Sequence, residues 1–159
     1  MHITQWGEYG VHCCAYLAKR HAQGVATVPA SEIAESQQLP LDYAQQILQR
    51  LRRTELVKSV RGPQGGYALG RPANEITLYD ILLAAEGDTF EVICDNKPIG
   101  QARCEPNGDC NLRPVWRALR EHVNEFLGKH SLQDLIVRSG ATPNDPIQIN
   151  QHKKTVEMQ

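Results

Sequence analysis

Residues 41–69 constrain the chain more than any other stretch. The first part, LDYAQQILQRLRR, sets Leu41, Ala44, Ile47, Leu48 and Leu51 at steps of three and four. That spacing gives a helix with one buried face. The opposite face carries Asp42, Gln45, Gln46, Gln49, Arg50, Arg52 and Arg53, and amides and guanidiniums are the side chains that read base edges and hold phosphates. A strand-like run, LVKSV, follows, then Arg61-Gly62-Pro63-Gln64-Gly65-Gly66 as a turn and Tyr67-Ala68-Leu69 as the return. Helix, strand, glycine-rich tip and strand is the order of a winged helix. An amphipathic helix beside an ordinary hairpin is the plainer alternative.

A chain of 159 residues, 41% apolar, suits one core with an appendage. The formal net charge of -1 argues against a uniformly basic nucleic-acid binder. The charges are unevenly placed, however: residues 1–72 hold eight Lys/Arg against five Asp/Glu, and residues 73–159 hold nine against thirteen. The basic excess accompanies the reading helix and wing, as phosphate contact requires. No apolar run approaches the ~20 residues of a membrane helix, and MHITQWGEYG lacks the layout of a secretory signal. The expected location is the cytoplasm, with no membrane partner. Five cysteines there are expected to be thiols or metal ligands rather than disulfides.

Residues 3–22 are expected to be helical, with Gly24 as the stop. On this helix Glu8 and His12 stand four apart and project from one face. They are either a metal-binding carboxylate and imidazole or an exposed hydrogen-bonded pair. Cys13 and Cys14 are expected to be small packing residues. A second helix follows Val28-Pro29-Ala30, with Ser31 as its expected cap, and Ser36-Gln37-Gln38-Leu39-Pro40 forms the turn into the third. This is a helix-turn-helix, whose second helix enters the major groove N-terminus first. The leading residues are Pro40, Asp42, Tyr43, Gln45 and Gln46, with Gln49 and Arg50 a turn further along. Gln can bond adenine in bidentate fashion, a good pair giving about 1–3 kcal/mol of discrimination. Asp42 can accept from cytosine or support the helix N-terminus. In the wing, Gly62, Gly65 and Gly66 are expected to allow a tight turn through unusual backbone conformations. Arg61, Gly62 and Gln64 are the expected wing contacts, with Arg61 suited to a narrow minor groove. A nucleotide phosphate loop is excluded, because no Gly-Lys-Ser/Thr follows.

Residues 77–86 are expected to form a short helix, and residues 87–111 a long loop broken by Gly and Pro and bearing Cys94, Cys104 and Cys110. A long helix then repeats Leu112, Val115, Trp116, Leu119, Val123 and Phe126 at steps of three and four. That stripe either packs on a second copy of itself in a twofold dimer or covers its own domain. Ser131 caps a last helix, and the tail from 140 is polar. The expected fold is mainly α: a winged helix-turn-helix domain (1–72), a loop and dimerisation helix (73–139) and a tail (140–159).

The spacing C-x9-C-x5-C does not suit a structural zinc site but is compatible with iron–sulfur ligation. Together with Gly7-Glu8-Tyr9-Gly10-Val11, Leu41-Asp42-Tyr43, Leu51-Arg52-Arg53, the segment from Leu56 to Tyr67 and Ile76-Thr77-Leu78, it makes the chain resemble the IscR/NsrR-type family of winged-helix regulators. The resemblance runs to about residue 137. It implies a homodimeric transcription regulator, not an enzyme, that binds a pseudo-palindromic operator in double-stranded DNA. It further implies an iron–sulfur cluster at the dimer interface that senses redox or iron–sulfur status. One branch keeps a cluster histidine three residues after the last cysteine. Arg113 stands there in this chain, and arginine stays protonated, so the fourth ligand must come from elsewhere. The segment Glu8-Tyr9-Gly10-Val11-His12-Cys13-Cys14 is similar to the RsrR-like branch, whose two-iron cluster is held by Glu, His and two Cys. That similarity implies Cys104 and Cys110 of one copy with Glu8 and His12 of the other. The second choice is Cys94, Cys104 and Cys110 with one of Glu8 or His12. A two-iron cluster is preferred to a four-iron one. The alternatives are a cluster-free regulator answering a small molecule or protein partner, and a nitric oxide-sensing repressor with a four-iron cluster.

Overall fold

The computed structural model describes residues 2–88, 90 and 110–137. Cys94, Cys104 and the tail beyond 137 lie outside them. The described chain is mainly helical: α1 (Gln5–Ala22), α2 (Ala30–Ser36), α3 (Leu41–Arg53), an antiparallel hairpin of β1 (Val57–Val60) and β2 (Gly66–Leu69), a 3-10 turn (Ala73–Glu75), α4 (Leu78–Glu86), α5 (Leu112–Gly128) and α6 (Leu132–Val137).

One core holds these elements. Cys13, Cys14 and Leu17 of α1, Ile33 of α2, Ile47, Leu48 and Leu51 of α3, Leu56 and Val57 at the hairpin, Ile81 of α4 and Leu132 of α6 are all buried together. Leu41, expected on the buried face of α3, is exposed instead. It is the first helical residue, and its side chain leans back past the end of the packed stripe. Ser31 is likewise not a cap: Pro29 occupies the N-cap of α2 at φ -61, ψ 146, leaving Ser31 inside the first turn. The caps of α4 and α6 are side-chain boxes. Thr77 and Asp80 exchange bonds at the start of α4, and Ser131 and Asp134 do so at α6.

All three helices of the helix-turn-helix region end in the same way. The chain passes through one left-handed residue, and the two amides around it bond back to the last turn, a Schellman motif. At α1 that residue is Gly24 (φ 84), with Val25 N donating to Arg20 O at 3.0 Å. At α2 and α3 it is Gln38 (φ 55) and Glu55 (φ 60), with Leu39 N donating to Ala34 O and Leu56 N to Leu51 O. A side chain in the left-handed region costs about 1 kcal/mol relative to glycine. Glu55→Gly is therefore expected to raise unfolding free energy by about 1 kcal/mol, read as a higher urea midpoint with an unchanged slope.

Two close approaches position the functional parts. A Cβ on Gly7 would lie 2.6 Å from Glu86 Oε1 and 2.8 Å from Leu82, and one on Gly10 would lie 3.0 Å from the Ala85 Cβ. The bare face of α1 therefore lets it cross the C-terminal half of α4 closely. A one-residue bridge between Thr77 and Ser131 then holds α6 back on the domain: Leu132 N donates to Ile76 O at 2.7 Å and Leu78 N to His130 O at 2.9 Å.

Candidate nucleic-acid interface and metal-ligand residues

Asp42, Gln45, Gln46 and Gln49 form an exposed polar row on α3, with Pro40 exposed at its N-cap. Two residues expected in that row are turned inward. Tyr43 is half-buried, its ring centroid 4.7 Å from Trp6 and 5.9 Å edge-on from Tyr9. Burial raises its hydroxyl pKa, the neighbouring Tyr9 adds to the rise, and Arg50 opposes it. Arg50 Cζ lies 4.0 Å from the Trp6 ring centroid, and its Nη1 donates to Ala85 O at 2.8 Å. Tyr43 and Arg50 flank the buried stripe on the side where α1 and α4 pack, the Tyr43 ring resting on α1 and the Arg50 guanidinium engaged with both helices. Arg52 is exposed and donates from Nη1 to Ser59 Oγ at 3.2 Å, tying the reading helix to the first wing strand.

The wing presents Arg61, Gly62 and Gln64 to solvent. Its three glycines act for two different reasons. Gly62 alone adopts a positive φ, 121. Gly65 and Gly66 are small because a Cβ would lie 2.5 Å from Val60 O and from Val28 O, respectively. The second approach exists because Val28 bridges Tyr67, each amide donating to the other's carbonyl at 2.8 Å. Thr27 Oγ1 adds a 2.7 Å bond to Gln64 O. The segment before α2 thus holds the wing upright as a one-residue third strand. Sequence reading missed Thr27 and Val28, because a single bridging pair leaves no alternating pattern to find.

Glu8 and His12 stand one turn apart on the exposed face of α1, opposite Gly7 and Gly10. Among the described residues neither makes a side-chain hydrogen bond or ion pair, so the alternative of a mutually bonded pair is not formed. His12 also edges an open groove of about 300 Å³ lined by Ala15, Tyr16, Leu135 and Ile136. Cys110 is half-buried just before α5. Carboxylate oxygen, imidazole nitrogen and thiolate sulfur together form a donor set that suits iron. No three His, Cys, Asp or Glu side chains converge on a metal position among the described residues. Cys13 and Cys14 are fully buried thiols with a packing role. Burial pushes Cys13 up to about 12, and burial with the adjacent Cys13 raises Cys14 further, so neither is a ready thiolate donor.

On α5, Leu112, Val115, Trp116, Leu119 and Phe126 are exposed while Val123 is half-buried. No residue of this helix is buried. The described residues therefore leave the apolar stripe of this amphipathic helix largely exposed. Among the described residues no helix is long and apolar enough to cross a membrane.

Known proteins share this arrangement. A family model described as Rrf2, iron-dependent transcriptional regulator, matches residues 3–138. The HTH-type transcriptional regulator IscR of Xenorhabdus nematophila is 35% identical over 136 residues, 86% of this chain and 79% of that protein. Among solved structures, CymR, the global cysteine regulator of B. subtilis, superposes with a TM-score of 0.67 at 32% identity, covering 86% of this chain and 97% of that one. The IscR of T. potens does so at 0.68 and 28%, covering 92% and 94%. The reading helix, the bridged wing and the match along nearly the whole described chain lead to one conclusion: the protein belongs to the Rrf2 family, a DNA-binding transcription regulator of winged helix-turn-helix fold and not an enzyme.

Proposed function

We propose that two copies pair through α5, place their α3 helices on the half-sites of a pseudo-palindromic operator, and hold two-iron clusters at two symmetry-related sites between them, in the manner of the RsrR-like branch. Glu8 and His12 of one copy with Cys104 and Cys110 of the other are the proposed ligands. The observation that carries this reading is the two-sidedness of α1. One face offers an unengaged carboxylate and imidazole a turn apart, and the other packs closely on α4, the helix that precedes the three cysteines in the sequence. A bound cluster supplies one-electron redox chemistry and sensitivity to oxidants, and mixed oxygen, nitrogen and sulfur ligation raises its potential above that of an all-thiolate centre.

The chain's own residues translate that state into DNA affinity. Glu8 and His12 exert their pull on α1. Trp6 and Tyr9 of the same helix pack on Tyr43 of α3. A shift of α1 therefore tilts the row Asp42, Gln45, Gln46 and Gln49 relative to its mate in the dimer. The wing residues Arg61 and Gln64 hold phosphate or the minor groove and fix register. Such a switch requires that the two states differ in operator affinity, since only differential affinity moves the equilibrium.

A second reading, a cluster-free regulator answering a small molecule or protein partner, is favoured by the 32% identity to CymR, the global cysteine regulator of B. subtilis. Operator binding by oxidised, reduced and cluster-free protein at one fixed salt concentration separates the two, because phosphate contacts make affinity salt-dependent. Different affinities are expected for the three states. Equal affinities, or an iron-free protein that binds the operator after anaerobic purification, would favour the second reading.

A further inference from the structure

Arg50 occupies an unusual place for a polar residue of a reading helix. Its guanidinium faces the protein, where three elements meet. The first contact is with α4: Ala85 O belongs to the last turn, whose carbonyls lack partners within the helix, and Arg50 Nη1 caps it at 2.8 Å. A cation is also favoured at the negative end of that helix. The second is with α1, where Cζ stands 4.0 Å from the centroid of Trp6, within cation–π range. Trp6 itself leans on Tyr43, so the contact closes a ring back to α3.

The same junction is tied from the other side. Glu86, next to Ala85, accepts from Thr4 N at 2.8 Å and from Thr4 Oγ1, which caps α1. Glu8, two residues past Trp6, donates its amide to Thr4 O at 3.0 Å. Gly87 follows Glu86 at φ 91, and Cys94, Cys104 and Cys110 come after it in the sequence. An open cavity of about 280 Å³ lined by Arg50, Arg53, Ala85, Glu86 and Gly87 gives the guanidinium room to move.

We propose that Arg50 is a positioning residue that couples the state of the cluster site to the reading helix, rather than a DNA contact. Among the described residues it is the one α3 side chain both bonded to the last turn of α4 and stacked on the helix bearing Glu8 and His12. A displacement of either support moves the guanidinium, and with it the middle of α3. Lysine cannot replace it, because a point charge cannot satisfy a carbonyl in the ring plane and cover an aromatic face together.

The inference rests on the reading that the cluster state alters operator affinity. The test compares wild type, Arg50→Met and Arg50→Lys, each with cluster and cluster-free. Operator dissociation constants are measured at one salt concentration, and folding, dimerisation, iron and sulfide are verified for every sample. Wild type is expected to differ between states by about tenfold or more. Both variants are expected to differ by less than about twofold, with unchanged cluster absorption. Hydrogen exchange gives a readout free of DNA: the difference between states across α3 amides, present in wild type, is expected to vanish in the variants. If wild type differs and the variants keep its ratio, the proposal is overturned. Equal weakening in both states, as loss of a phosphate contact would give, also overturns it. If wild type itself shows no difference, the cluster switch fails and the coupling falls with it. If Arg50→Met does not fold, Arg50→Lys, which keeps charge and length, decides the matter.

Discussion

Leu119→Asp is expected to turn the proposed dimer into a monomer and to weaken binding to the full operator by about a hundredfold or more. Leu119 is 43% exposed, in the middle of a stripe of similarly exposed apolar residues that includes Val115, Trp116 and Phe126. Pairing two such stripes removes that apolar area from water, at about 25 cal/mol per Å². An aspartate at the centre would have to lose its hydration without a partner, which no small apolar gain offsets. Once the copies separate, the second half-site is no longer presented at the high local concentration that a linked reader supplies. The reading surface of α3 is untouched by the change. Affinity for a single half-site should therefore match wild type within about twofold, while full-operator affinity falls. Sedimentation velocity with both DNA lengths checks this. A variant that stays dimeric would place the pairing surface elsewhere.

Gly70→Ala is expected to cost about 2–4 kcal/mol of stability and to loosen the wing. A Cβ at this position would lie 1.9 Å from Glu55 O and 3.0 Å from the carbonyl carbon behind it. Neither strand end is free to retreat. Gly70 N donates to Leu56 O at 2.9 Å, and Leu56 is anchored in the core at 2% exposure. Glu55 is held at φ 60 by the motif that ends α3. The added methyl must therefore break the bond at the base of the hairpin or pull Leu56 from its site. Gly128→Ala is the matched control, because nothing lies within 4 Å of a Cβ there. Its effect is expected to be neutral or slightly stabilising, by less than about 1 kcal/mol. Urea unfolding of both variants measures the contrast.

The reading helix, the hairpin, the capping of α6 by Ser131 and the exposed stripe on α5 were legible because each rests on periodicity or on a local turn pattern. What was not legible depends on contacts distant in sequence. Arg50 and Tyr43 share the polar character of Gln45 and Gln46, and only the packing of α1 and α4 shows that they face inward. Val28 reaches Tyr67 across 39 positions through one bridge, too short to leave a strand signature. The left-handed residues Gln38 and Glu55 carry no glycine to mark them. Gly7 and Gly10 were visible as part of a family-like segment, but their use as a crossing surface against Ala85 and Glu86 required the structure. Of the proposed ligands, Glu8 and His12 stand exposed on one helix face as their spacing implied, Cys110 lies at the foot of α5, and Cys94 and Cys104 fall outside the described residues.

The proposal that ligands from both copies complete one centre is tested most directly by complementation. One chain carries Glu8→Ala with His12→Ala, its mate carries Cys104→Ala with Cys110→Ala, and differently tagged copies are purified as the mixed dimer under anaerobic conditions. Each doubly substituted homodimer is expected to lack iron and sulfide. The mixed dimer, in which the intact α1 of one chain meets the intact cysteines of the other, is expected to recover about half the wild-type cluster per dimer, as twofold symmetry requires. A mixed dimer as colourless as either parent would contradict a centre shared between copies.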